Sequence, residues 1–214
     1  MTSNWFKDIV QNIENKPILT GNSIDTNAFI NCFYTSYPFI YSLIGNENFV
    51  TEQLKHDIIQ SFQKIGRCYE KEPHVNKTFD DIINNELTRK NNYLWACEAD
   101  QQSPCVGVLW CYRAFSAFYT FIENLSWNEM TSKQCAKETY NNILKPYHKW
   151  STILIANTVI QFIPERDLLF ERVNIPPTTE GFQTIEKFLN TMHPIIERMK
   201  EIIDRHNINF KSVV

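Results

Sequence analysis

With 214 residues, 43% of them hydrophobic and 14% aromatic, the chain is long enough to bury a real core and too apolar to stay disordered. Its formal net charge of -3, with no basic block, argues against a nucleic-acid partner. Its five glycines, with no G-x-G-x-x-G, G-x-x-x-x-G-K-(S or T) or G-x-S-x-G among them, argue against a turn-rich β fold and against a phosphate-cradling loop.

Taken in chain order, nearly every long segment repeats its apolar residues at helical spacing. Residues 25–44 predict a helix capped by Asp25 and bent at Pro38. Residues 49–72 follow, with Leu54, Ile58, Phe62 and Ile65 along one face, and residues 77–90 form a shorter helix. Residues 103–125 start at Pro104 and are apolar almost all round, which marks a central, buried helix. Residues 132–163 are helical but hold Pro146, so a kink or break is expected near 145. Residues 178–207 close the fold and contain Pro194. The stretches "NNYLWACEADQQSP" and "RVNIPPT" read as loops, and there is no repeat and no linker. The expectation is a single all-α domain over residues 1–214 with about eight helices, in two layers because the helix lengths differ too widely for a simple bundle.

Cys32, Cys68, Cys97, Cys105, Cys111 and Cys135 form no C-x-x-C pair, and a chain of this size needs no staples. They read as reduced, buried thiols of a cytoplasmic protein. The start, "MTSNWFKDIV", is polar where a signal peptide is apolar. "STILIANTVIQFIP" is too short and too interrupted to span a bilayer. The expectation is a soluble protein that can visit a membrane surface.

Three polar groupings could carry chemistry. In "LKHDIIQSFQKIG", Asp57, Ser61 and Lys64 lie within about 60° on one helix, bordering the apolar face. Asp57 and Lys64 are two turns, roughly 10 Å, apart, too far for a tight ion pair but close enough to reach one ligand of sugar size. The plain alternative is a solvated boundary stripe. In "VLWCYRAFSAF", Trp110 and Arg113 are one turn apart in an apolar helix. Trp110 is either a core ring or a flat face for a sugar, and Arg113 needs a partner or an exit to water. In "LKPYHKW", His148 is either a satisfied structural group or a hydrogen-bonding imidazole. Trp150, with Lys145 and Lys149 before it, is either a packed surface ring or an interfacial one among cations. There is no H-E-x-x-H, no metal-ligand spacing of the five histidines and no nucleophile signature, so neither a metal nor catalysis is expected.

The order D-x3-(N or S)-x2-K, then L-W-x2-R, then A-x3-Y-x6-Y-H-x-W resembles the glycolipid transfer protein family. Here it reads "DIIQSFQK" (Asp57 to Lys64), "LWCYR" (Leu109 to Arg113) and "AKETYNNILKPYHKW" (Ala136 to Trp150). The likeness runs from "IDTNAFINCFYTSYPFI" to the C-terminus. It implies a two-layer helical fold that encloses one sphingolipid in an apolar pocket. Asp57 would accept hydrogen bonds from the ceramide amide and the sugar, and Lys64 would donate to sugar hydroxyls. Trp110 would carry the first sugar ring, His148 would hold the ceramide amide carbonyl, and Trp150 would contact the membrane. Ser61 departs from the family's usual Asn and puts its direct sugar contact in question. The branch of the family that carries ceramide-1-phosphate is expected to place a cation where Trp110 stands, so Trp110 favours a neutral sugar.

The function expected is therefore transfer of a glycosphingolipid between membranes without chemistry or cofactor. The protein would act as a monomer with a transient membrane surface as its other partner. Ceramide-1-phosphate transfer or sphingolipid sensing is the first alternative, and an all-α interaction module the remote one. Phe115, Phe118, Phe121, Leu144, Ile153, Ile155, Val159 and Phe162 are candidates to line the lipid chamber.

Overall fold

A computed structural model describes residues 4–34, 49–127 and 129–211, with the side chains of 34, 49–55 and 57 left aside. Its α-helices are α1 (Trp5–Asn15), α2 (Thr26–Tyr34), α3 (Phe49–Lys71), α4 (Phe79–Arg89), α5 (Leu94–Ala99), α6 (Pro104–Trp127), α7 (Ser132–Thr139), α8 (Trp150–Phe162), α9 (Arg166–Arg172) and α10 (Thr179–Arg205). A two-residue hairpin, β1 (Leu19–Thr20) with β2 (Ser23–Ile24), pairs Leu19 with Ile24 and Thr20 with Ser23. Gly21 turns it at φ +54°, a left-handed conformation that glycine adopts without strain.

The long helices follow the sequence reading. Asp25 caps α2, its Oδ1 accepting from the N–H of Ala28 at 2.7 Å. The bend expected at Pro38 lies outside the described residues. Thr78 and Asp81 form a reciprocal capping box at the start of α4. The break expected near 145 is there. Thr139 ends α7, a π-helical turn spans Tyr140–Leu144, a 3-10 turn spans Lys145–Tyr147, and His148 and Lys149 are extended before α8 starts at Trp150. Pro146 explains the widening: it has no N–H to give residue 142, and its ring crowds that carbonyl. In α10, by contrast, Pro194 sits inside a continuous helix.

Among the described residues three of the ten α-helices, α1, α5 and α9, lie outside the segments that periodicity marks as helical, and α5 falls in a stretch that reads as a loop. The seven residues of α9 and the six of α5 are too short for a periodic signal. The 11 residues of α1 do carry one, with Phe6, Ile9 and Val10 buried at i, i+3 and i+4.

The core is built on α6. It packs against α3, α10, α7, α4 and α5, and the α3–α6 pairing is the most extensive in the described residues. By length and composition α6 could cross a bilayer, yet it is the helix on which the others close. Two aromatic knots lock it in. Phe115 contacts the rings of Phe29, Phe33 and Phe62 at 5.6, 4.5 and 6.1 Å. Phe118 meets Trp5 at 5.6 Å and Phe188 at 6.1 Å. All six cysteines are buried thiols outside any disulfide.

The end of α10 is pinned to the hairpin and to α4. Arg205 donates to Asp80 at 2.8 and 2.9 Å, His206 Nε2 lies 2.6 Å from Asp80 Oδ1, and Arg198 donates to the Gly21 carbonyl at 2.6 Å. This anchors the segment that follows, Ile208 to Phe210, back against the core.

Candidate functional site

Gly107 sets the position of the first two groupings. A Cβ at this residue would stand 2.9 Å from the Ser61 carbonyl oxygen, 3.0 Å from Lys64 Cβ and 3.2 Å from Ile65 Cγ1. Only glycine permits that approach, which seats the Ser61–Lys64 turn of α3 on the first turns of α6. Ser61 is 6% exposed and Lys64 9%. The row is therefore not a solvated stripe at these two residues: both lie in the seam between helices. Asp57 lies on the same helix one turn earlier, but its side chain is outside the described residues.

Lys64 sits in a set of neighbouring charges. Lys90 donates to Asp100 at 2.9 Å, and the N–H of Gln102 donates to the other carboxylate oxygen at 2.9 Å. The Lys90 hydrogen bond, then that N–H, hold the Asp100 carboxyl below the usual range, and Lys64 is among the cations that add to it. Lys64 also faces Cys111, a fully buried thiol pushed up by burial and only partly relieved by the nearby ammonium.

One turn beyond Gly107, Trp110 is half-buried and stacked with His148, the ring centroids 5.6 Å apart and the planes 16° from parallel. The Arg113 guanidinium lies 4.9 Å from the Trp110 centroid and 3.5 Å from that of Tyr147. Arg113 is 3% exposed, and its Nη2 donates to the Phe210 carbonyl at 2.5 Å and reaches Asn209 Oδ1 at 3.4 Å. Burial pulls its pKa down to about 10, with Tyr147 opposing the shift, so it stays a cation at neutral pH. Burial also pulls His148 down to about 4, and the Arg113 charge adds to the shift, so the imidazole is neutral there. The Tyr140 hydroxyl lies 3.2 Å from His148 Nδ1.

The structure thus brings Lys64 and Ser61 together on the α3–α6 seam, and it brings Trp110, Arg113 and His148 together in one stack. Trp150 stands apart from both, 77% exposed at the start of α8, with Lys145 and Lys149 also exposed. Of the candidate lining residues, Phe115 and Phe118 pack on the main core, Leu144 packs on a second cluster of Ala136, Tyr140 and Ile160, and Phe121 packs on both. Ile153, Ile155 and Val159 are half-buried. Phe162 is the exception, at 66% exposure. Ala156, Ile160 and Ile163 take the inward side of α8 at i, i+4 and i+7, and Phe162, two residues after Ile160, projects about 200° away from it.

Sequence reasoning missed Gly107, the Tyr147 ring as a partner of Arg113, and the contacts of Arg113 with Asn209 Oδ1 and the Phe210 carbonyl. Gly107 is visible as the one glycine in an apolar helix that is otherwise bulky. The pairings of Arg113 with Tyr147, Asn209 and Phe210 come from chain folding and leave no local signal.

The chain matches the sequence profile of the glycolipid transfer protein (GLTP) family over residues 24–175, well over half its length. Glycolipid transfer protein 3 of Arabidopsis thaliana is 20% identical over 159 residues, which are 73% of this chain and 66% of that protein. The ceramide-1-phosphate transfer protein of Xenopus tropicalis is 24% identical over 134 residues, 62% of each chain. This chain therefore matches just under two thirds of the length of either relative. Human ceramide-1-phosphate transfer protein, solved in complex with 12:0 ceramide-1-phosphate, shares the fold with a TM-score of 0.82 at 17% identity, over 96% of this chain and 97% of that one. With the motif blocks, the profile match and the shared fold in agreement, the chain belongs to the glycolipid transfer protein family.

Proposed function

We propose that this protein binds one glycosphingolipid and carries it between membranes, acting as a single-domain monomer that performs no chemistry. The observation that carries the reading is the stack at the top of α6. Trp110 offers an aromatic ring where a phosphate-reading site would want a cation, and Lys64, on the facing helix, supplies a buried ammonium for hydroxyl oxygens. Asp57 is assigned the amide N–H and sugar hydroxyls, and His148 the amide carbonyl. Ser61 supplies one short hydroxyl, by itself or through water.

The energetics make the apolar interior the dominant part of the task. Two chains of about 12 methylenes each cost roughly 20 kcal/mol in water, at about 0.8 kcal/mol per CH₂. Headgroup hydrogen bonds supply about 0.5–1.5 kcal/mol each, or about 1.5–3 with a charged partner. They select the lipid, and the aromatic-rich helices around α6 must replace the bilayer. Trp150, Lys145 and Lys149 are assigned the transient contact with that bilayer, which suits a cytoplasmic carrier.

Ceramide-1-phosphate is the second reading, favoured by Arg113 one turn from Trp110. Its Nη2, however, is engaged by the C-terminal segment, and its face lies over Tyr147. Vesicle-to-vesicle transfer tests the choice. The parent protein should move glucosylceramide faster than ceramide-1-phosphate, and Trp110→Ala and Asp57→Val should each abolish glucosylceramide transfer with helix content unchanged. Normal transfer by both variants would remove the site assignment, and faster transfer of the phosphorylated lipid would install the second reading.

A further inference from the structure

We infer that Tyr140 is a positioning residue: its hydroxyl donates to His148 Nδ1, fixes the neutral imidazole as the Nε2–H tautomer, and thereby turns His148 into a hydrogen-bond donor for a carbonyl ligand. The ligand half of this inference rests on the reading above; the tautomer half does not.

The local backbone is what makes the contact possible. Eight residues along a regular α-helix would separate positions 140 and 148 by about 12 Å, too far for their side chains to meet. Here the helix widens into the π-helical turn over Tyr140–Leu144, tightens over Lys145–Tyr147 and then extends at His148, with φ -106° and ψ 138°. That path returns His148 to the side of Tyr140, and the hydroxyl reaches Nδ1 at 3.2 Å. The rings also touch, with centroids 5.6 Å apart and planes at 43°. Tyr140 is 7% exposed and packs on Ala136 and Ile160 from α7 and α8, which holds the phenol in place.

The direction of the hydrogen bond follows from the chemistry of the pair. A neutral imidazole has one nitrogen that donates and one that accepts. A phenol O–H is a better donor than its oxygen is an acceptor, because the oxygen lone pair is drawn into the ring. If Nδ1–H donated instead, the buried phenol hydrogen would need a second acceptor, and leaving such a group unmatched is costly. Among the described residues His148 is the partner of that hydroxyl. Burial and the neighbouring Arg113 keep the ring neutral, so the tautomer is a real choice rather than a cation with both nitrogens protonated. With Nδ1 accepting from Tyr140, the proton sits on Nε2. The Trp110 stack on the imidazole face leaves this N–H in the ring plane, where a carbonyl oxygen can take it.

The test uses full-length protein with ¹⁵N-labelled histidine and compares the parent with Tyr140→Phe, which keeps the buried ring and removes only the hydroxyl. Without lipid at pH 7, the His148 ¹⁵N pattern of the parent should show a protonated Nε2 and an unprotonated, hydrogen-bonded Nδ1. In Tyr140→Phe the Nδ1 signal should shift and the two tautomers should mix. Uptake of glucosylceramide from phosphatidylcholine vesicles should weaken roughly tenfold in the variant, the scale of one lost hydrogen bond at a buried site. An Nδ1–H pattern in the parent, a pattern unchanged by Tyr140→Phe, or full uptake by the variant would each overturn the inference. A tautomer shift as described in a parent that takes up no sphingolipid would uphold the Tyr140 assignment and sink the transfer reading instead.

Discussion

The carbonyl-holding role proposed for His148 calls for a neutral ring, and the surroundings of the residue keep it neutral. Its pKa falls to about 4 from an ordinary 6.5 because burial, and then the Arg113 charge, disfavour the imidazolium. This depression has a consequence for stability. As pH drops through 6.5 the unfolded chain takes up a proton that the folded one refuses, so folding should weaken between pH 6.5 and about 4, with no contribution from this group above pH 7. Urea denaturation of the parent and His148→Asn at pH 7.5 and pH 5 measures it. The parent should lose more stability than the variant on acidification, and equal losses would contradict the assignment. The identity of this ring as a candidate was legible in "YHKW", because a His beside two aromatics at one spacing is a specific pattern. Its environment was not. The partners of Arg113 lie at Asn209 and Phe210, far along the chain, and only the docking of the tail behind α10 brings them in.

At the scale of elements, the site depends on how closely α3 and α6 approach. Gly107→Ala would press a methyl group against the Ser61 carbonyl, which is backbone and cannot rotate away. The helices must part, at a cost of about 1–3 kcal/mol, and the Ser61–Lys64 turn must shift with respect to Trp110. Chemical denaturation should register the loss, and glucosylceramide uptake should drop by more than the fraction unfolded. A variant with parental stability and uptake would show that the seam has slack.

The other decisive element is α8, which bears no charge from Trp150 to Phe162 and leaves Trp150, Leu154 and Phe162 exposed at 77%, 55% and 66%. Exposed Lys145 and Lys149 precede it. An uncharged face with an amphipathic ring at one end and cations beside it suits a bilayer interface. Trp150→Ala should weaken sedimentation with vesicles more than it weakens glycolipid binding, and adding Phe162→Ala should weaken sedimentation further. Equal sedimentation of parent and variants would remove α8 from the membrane contact. Long helices such as α3, α6 and α10 were legible because many apolar repeats and clear caps agree. The turn between α7 and α8 was legible only as a break: Pro146 announces that the helix cannot continue, but nothing in a 3.6-residue period says that the chain will widen before it stops.

For the molecule as a whole, the proposed function depends on an apolar interior that a lipid would finish, with a few buried polar groups choosing which one. The all-α fold could be read from periodicity and composition, because nearly every long segment repeats its apolar residues at helical spacing and five glycines are few for a turn-rich β fold. The candidate site could be proposed from the sequence only by taking three separated blocks together. Each alone fits ordinary packing, and their common purpose emerges when α3, α6 and the break before α8 are folded against one another. The measurement that bears most directly on this is native mass spectrometry of the purified protein after exposure to mixed vesicles containing glucosylceramide, ceramide-1-phosphate and phosphatidylcholine. The parent should form a one-to-one complex with the mass of a hexosylceramide, lost in Trp110→Ala. A folded protein that picks up no sphingolipid, or that holds ceramide-1-phosphate in its place, would contradict it.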